Sequence, residues 1–183
     1  LNEDPGLANF DLEKAKQLLS EAGYPNGVTV KAIASTLPSL MSIVEVTQAQ
    51  LRKVGINLEI EAVEHTTFHA KIRQDLSGLT LYQAARFPIA DVYLTQFYDS
   101  ASIVGTPTAV TNFSHCRVAD DEIRAARKEP DPSKQLNLWK LAQKKIVDEA
   151  CAIPLSEQLG MWAWKDNLDL AYEMKDRKST RLN

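Results

Sequence analysis

The chain is short of cysteine, glycine and histidine, with two, seven and three in 183 residues, and it has no apolar run near the roughly 18 residues a membrane-spanning helix needs. Each scarcity excludes something. Cys116 and Cys151, far apart in sequence, make no disulfide framework, and the burial habit of free cysteine favours two unpaired, partly buried thiols. The scattered glycines form neither a P-loop nor a G-x-G-x-x-G turn, so no phosphate cradle is predicted. Neither sign of charge dominates. With 21 Lys and Arg against 24 Asp and Glu, the net charge of -3 excludes the broad basic field of a nucleic-acid binder. No targeting segment is legible from Leu1 onward, so the sequence by itself names no compartment. What is present, 44% hydrophobic and 25% charged residues, is ordinary for a globular protein long enough to bury a core.

The catalytic inventory is equally thin. His65 and His69 are four apart and share a helix face, but Thr66 stands where a metalloprotease helix needs glutamate, so solvated histidines at a helix start explain them. Ser114, His115 and Asp120 are the residue types of a nucleophilic triad, yet no G-x-S-x-G elbow frames the serine. A small α/β serine hydrolase is therefore the alternative reading, and a metal module built on His65, His69 or His115 a third. No catalytic residue, metal ligand or cofactor is assigned.

The positive signals are in the ordering of elements. In DLEKAKQLLSEAGYPNG (11–27), Asp11 is an N-cap, Leu12, Ala15, Leu19 and Ala22 form one apolar stripe, and Gly23 is a left-handed stop. Tyr24-Pro25-Asn26-Gly27 then turns the chain into a strand beginning at Val28. A second helix, about Leu40 to Val54, stops at Gly55 before an alternating strand with Ile56, Leu58, Ile60 and Ala62 on its packed face. A third, about Thr66 to Ser77 with Phe68, Ile72 and Leu76 inward, ends at Gly78 before a strand from Leu79 to Ala85. This α-β-α-β-α-β order predicts an α/β fold with a mixed sheet flanked by helices. Regularity fails from Arg86 to Val118, the kind of long segment that carries function. Helices return at about Asp120 to Arg127 and after Asp131-Pro132, the latter with Leu136, Trp139, Gln143, Ile146, Val147 and Ala150 inward and Lys144 and Lys145 solvated. Ala152 to Leu155 and Gly160 to Trp164 read as strands.

Four blocks in order carry a resemblance. The 11–27 segment matches "D-x-E-K-A-K-x-L-L-x-E-A-G-Y-P-x-G" nearly letter for letter, and QAQLRKVGINLEIEAVE (48–64) matches a "Q-x-x-L-x-K-V-G-I-x-V" junction. The stretches from Asp91 to His115 and DPSKQLNLWKLAQKKIVDEACAIPLSEQ (131–158) follow. Together they resemble the C-terminal lobe of the family 5 extracytoplasmic solute-binding proteins of peptide- and nickel-type ABC importers.

That resemblance implies a periplasmic-binding-protein-like lobe with residues 1–150 as the second lobe, 151–174 returning toward a first lobe outside this chain, and 175–183 a disordered or non-native tail. It implies a non-enzymatic receptor that closes about a peptide or similar small solute. Its partners would be the permease subunits of an ABC importer, and its place the periplasm or the outer face of a bacterial membrane. The ligand side is expected at Arg86, Phe87, Asp91 and Tyr93. Asn112 and Phe113, with Thr111 and Ser114 beside them, form a further patch, and Glu157 and Gln158 lie near the interlobe crossing.

Overall fold

A computed structural model describes residues 10–84, 89–105 and 111–155 of the chain. The chain divides into two compact units, 1–152 and 153–183, and every element named below belongs to the first.

Helix α1 (Leu12–Glu21) begins where Asp11 accepts the Lys14 N–H at 2.9 Å. It ends in a Schellman pattern. Gly23 N–H donates to Ser20 O and Tyr24 N–H to Leu19 O, with Gly23 at a φ of 92°. A turn closed by Gly27 N–H on Tyr24 O then leads into β1 (Val28–Ser35). Helix α2 (Pro38–Arg52) carries the chain back to β2 (Ile56–Val63), which pairs parallel with β1 in unbroken register from Val28↔Ile56 to Ser35↔Val63. The entry is tight. A Cβ on Gly27 would lie 2.3 Å from Gly55 O, the carbonyl that accepts the Val28 N–H.

A parallel strand is covered on both faces. Ala32 and Ala34 of β1, with Leu58 of β2, pack with Val44 of α2, while Ile33 packs with Phe68 and Ile72 of α3 (His65–Ile72). Glu64 caps α3, its carboxylate accepting the Thr66 and Thr67 N–H groups.

Two expectations fail after α3. The helix stops at Ile72 rather than Ser77, which leaves Leu76 55% exposed. The expected strand from Leu79 is reduced, among the described residues, to one parallel bridge between Leu79 and Ala32. The reason is local: Ser77 Oγ accepts the Ile33 N–H at 2.8 Å and donates to Leu79 O, so a side chain takes the donor a third strand's carbonyl would use.

The segment expected to be irregular from Arg86 contains α4 (Ala90–Tyr98), followed by a short 3-10 turn (Ser100–Ser102). Helices α5 (Asp120–Lys128) and α6 (Pro132–Asp148) form a hairpin, with Asp131 accepting the Ser133 and Lys134 N–H groups at 2.9 Å. Leu94, Ile123, Ala126, Trp139, Ala142 and Ile146 make the core of this half. Leu136, expected inward, is 45% exposed, and the buried place belongs to Ala142. Lys144 pairs with Asp148 on its own helix, but Lys145 reaches across to Glu122 of α5 at 2.7 Å instead of standing free in solvent.

The cysteines are not free thiols. Cys116 and Cys151 form a disulfide with their Cα atoms 5.6 Å apart, because the α5–α6 hairpin returns the chain to the loop it left. Ala152 to Leu155 have no strand pairing, and the expected strand at Gly160 to Trp164 and the tail lie outside the described residues.

Candidate functional site

In open parallel sheets, ligands bind beyond the carboxyl ends of the strands, where chain reversals leave polar groups uncommitted. Here those ends are Ser35 and Val63, and the Leu79 bridge brings Tyr82 and Gln83 beside them. A concavity of about 230 Å³ lies at this edge. Leu37, Leu40 and Phe68 supply apolar wall, and His65, His69, Tyr82 and Gln83 supply polar atoms.

The polar side is organised by one hydrogen-bond chain. Ser35, 2% exposed, accepts the Leu37 N–H on its Oγ at 3.3 Å and lies 3.0 Å from His65 Nδ1. Its own proton then goes to that nitrogen, which puts the His65 hydrogen on Nε2 and directs it at His69 Nε2, 3.2 Å away. His69 therefore carries its hydrogen on Nδ1, a buried atom with no partner. Burial first, then the neighbouring His65 and Arg73, pushes the His69 pKa below the ordinary imidazole range. A neutral ring results at neutral pH.

From His69 an aromatic series runs along the site. Its ring centroid is 5.8 Å from that of Tyr82, which stands 5.0 Å from Phe113 and 5.7 Å from Phe97; Tyr93 is 6.4 Å beyond Phe97. The structure thus brings together Tyr93 and Phe113, expected from sequence, with Tyr82, His65 and His69, which were not. The signal for the missing residues was their position, at the ends of strands whose parallel pairing depends on distant residues.

The other expected residues go elsewhere. Asp91, in the first turn of α4, accepts from Thr95 Oγ1 at 2.7 Å and from Arg127 Nε at 3.2 Å. Asn112 is fully buried: its Nδ2 donates to Asp99 O and Cys116 O, and its Oδ1 accepts the Cys116 N–H. It holds the loop that presents Phe113. Buried Thr111 donates to Gln96 O, a further tie of that loop to α4. Arg86, Phe87, Glu157 and Gln158 lie outside the described residues.

The hydrolase constellation is not assembled. Ser114 Oγ donates to Asn112 Oδ1, His115 Nε2 lies 2.9 Å from Asp75, and Asp120 accepts the Ser100 N–H and the Arg124 guanidinium. No base addresses the serine.

A parallel unit with its concavity at the strand ends, joined to a helical hairpin, agrees with the comparisons. The profile described as "Bacterial extracellular solute-binding proteins, family 5 Middle" matches residues 2–104. The chain belongs to this family. The glutathione-binding protein GsiB of Escherichia coli is 31% identical over 174 residues, covering 91% of this chain and 34% of its own length. The binding protein MoaA of A. tumefaciens, solved in complex with mannopinic acid, is 58% identical with a TM-score of 0.80, over 84% of this chain and 31% of its own. The periplasmic protein DppA of Helicobacter pylori, solved with the peptide STSA, is 26% identical with a TM-score of 0.68, over 78% of this chain and 28% of its own. The fold is thus the α/β fold of the periplasmic binding proteins. The chain spans about a third of the length of the relatives it matches.

Proposed function

We propose that this chain supplies one side of the solute cleft in a receptor for an ABC importer, with residues 1–150 as the second lobe, 151–174 returning toward the first and 175–183 outside both. The receptor acts in the periplasm or at the outer face of a bacterial membrane, closes about a small solute and presents it to permease subunits. It transforms nothing. The observation that carries this reading is the 58% identity, over 84% of the chain, to a binding protein solved with mannopinic acid. The exposed chemistry supports it: a concavity at the strand ends with apolar wall, neutral imidazole and a row of aromatic rings grips a small organic solute.

Within that cleft Tyr93 and Phe113 offer ring faces and edges, Arg86 offers a guanidinium for a carboxylate, and Phe87 adds apolar contact. Asn112 acts through the loop rather than on the solute. Asp91 takes a solute cation only by displacing Arg127, whose side chain is half exposed. Closure follows if the solute touches both lobes, because only then does it bind the closed geometry better than the open one.

Calorimetry on the full-length protein with mannopinic acid, glutathione and di- to pentapeptides tests the reading. One of these classes is expected to give saturable heat, and the organic acid is the first to try. Absence of heat with every class would overturn the assignment.

A further inference from the structure

The solute reading leaves unused the chemistry of the paired imidazoles. His65 and His69 sit one turn apart on α3, with their Nε2 atoms 3.2 Å apart and ring centroids 4.5 Å apart. Two nitrogens each about 2.0–2.1 Å from one ion are about 2.9 Å apart when they subtend a right angle and about 3.3 Å apart at the tetrahedral angle. The observed separation falls between these, which is the bite of a single transition-metal ion.

We propose that His65 and His69 form a two-histidine half-site for a divalent transition-metal ion, with its remaining coordination positions opening on the concavity beside them. The surroundings suit this use. A ligating histidine usually hands its second N–H to a fixed acceptor, and Ser35 Oγ stands 3.0 Å from His65 Nδ1. On metal binding the His65 hydrogen moves from Nε2 to Nδ1 and the serine turns from donor to acceptor, so the neutral pair binds without net proton release. His69 already carries its hydrogen on Nδ1, leaving Nε2 as a lone pair. Burial and neighbouring positive charge also keep His69 unprotonated, the state a metal requires. Glu64, next in sequence, is committed to capping α3.

Among the described residues no third His, Cys, Asp or Glu completes a metal cage. The open positions therefore fall to water or to donor atoms of a chelating solute; only this last alternative rests on the receptor reading. With two imidazoles as its protein ligands and the Arg73 guanidinium donating to His69 O nearby, the site selects the ions with strongest imidazole affinity, Cu²⁺ ahead of Ni²⁺ and Zn²⁺.

The test uses the full chain, stripped with a chelator and titrated calorimetrically with copper or nickel salt alone at pH 7.5. Both cysteines are held in the disulfide and do not compete. One equivalent is expected to bind, at least about tenfold more weakly in His65→Asn and in His69→Asn and without change in His115→Gln. Binding is also expected to weaken as pH falls below about 6, when protons take the same lone pairs. Equal binding by all variants, or stoichiometric binding retained by the double His65→Asn, His69→Asn variant, overturns the proposal. If a variant does not fold, as judged by circular dichroism, the wild-type chain still decides. Bound metal should protect His65 and His69 from carbethoxylation in peptide mapping, and unprotected histidines refute the site. Since metal is the probe, a failed solute titration leaves this result standing.

Discussion

Removing the cross-link between Cys116 and Cys151 is expected to lower the stability of the helical half by about 4 kcal/mol. The bridge spans a sequence separation of 35 residues. Closing a loop of that length removes about 13 cal/mol/K of chain entropy from the unfolded state, which is about 4 kcal/mol at 25 °C. The enclosed segment is the α5–α6 hairpin, whose packing of Trp139, Ala142 and Ile146 with Ile123 and Ala126 remains in the variant. The loss therefore falls on the unfolded ensemble more than on native contacts. The assay is urea unfolding of the Cys116→Ala, Cys151→Ala variant, followed by circular dichroism and by fluorescence of Trp139, which is 6% exposed in the same cluster. With a slope of about 2 kcal/mol/M, the midpoint should fall by about 2 M. A fall of less than about 0.5 M would refute the entropic argument, and two thiols titrating in the native, unreduced protein would refute the bridge itself.

Three further outcomes are expected. Gly27→Ala should destabilise by about 2–4 kcal/mol, because the new Cβ meets the Gly55 carbonyl and the φ is 87°, whereas Gly23→Ala, with the same sign of φ and open space around it, should cost about 1–2 kcal/mol; equal midpoints in thermal unfolding would contradict the close approach. Asp131→Ala removes the acceptor for two N–H groups at the start of α6 and should cost about 1 kcal/mol, read from denaturant midpoints, with no loss expected in Asp131→Asn beyond a few tenths. Acid unfolding should begin at higher pH in Arg124→Gln. Burial raises the Asp99 pKa, but hydrogen bonds from Arg124 and the Ala101 N–H outweigh it and hold the carboxyl below its usual range. That contribution is present above the unfolded pKa of about 3.9 and is lost as pH falls through the lower native value. An unchanged acid transition by circular dichroism would show that this pair does not set it.

Signals confined to a few neighbouring residues were readable in the sequence. Asp11, Gly23, Asp131 and Pro132 mark helix ends through contacts with backbone groups two to five residues away, and each does what its chemistry dictates. The family followed from such local blocks as well. What escaped was decided by partners far along the chain. Ser77 preempts a strand because its hydroxyl reaches Ile33, 44 residues distant, and Cys116 meets Cys151 only because two helices intervene and fold back. Asn112 looked like a recognition residue, since a polar side chain beside an aromatic in a loop reads the same whether it faces solvent or three backbone groups in the interior. The pocket is the extreme case: Ser35 and His65 belong together because parallel register places their strand ends side by side, and nothing within either segment announces it.

The abutment of Gly27 on Gly55 acts as a datum for chain length. Both strands start counting from that contact, so the segment between them tolerates an extra residue only in the short stretches flanking α2, where the added length bulges away from the sheet. The same insertion placed after Gly55 would advance β2 by one position and rotate Leu58 out of the interior while driving Glu59 in. Natural variation in length among relatives should accordingly collect at residues 36–37 and 53–54 and avoid 56–63.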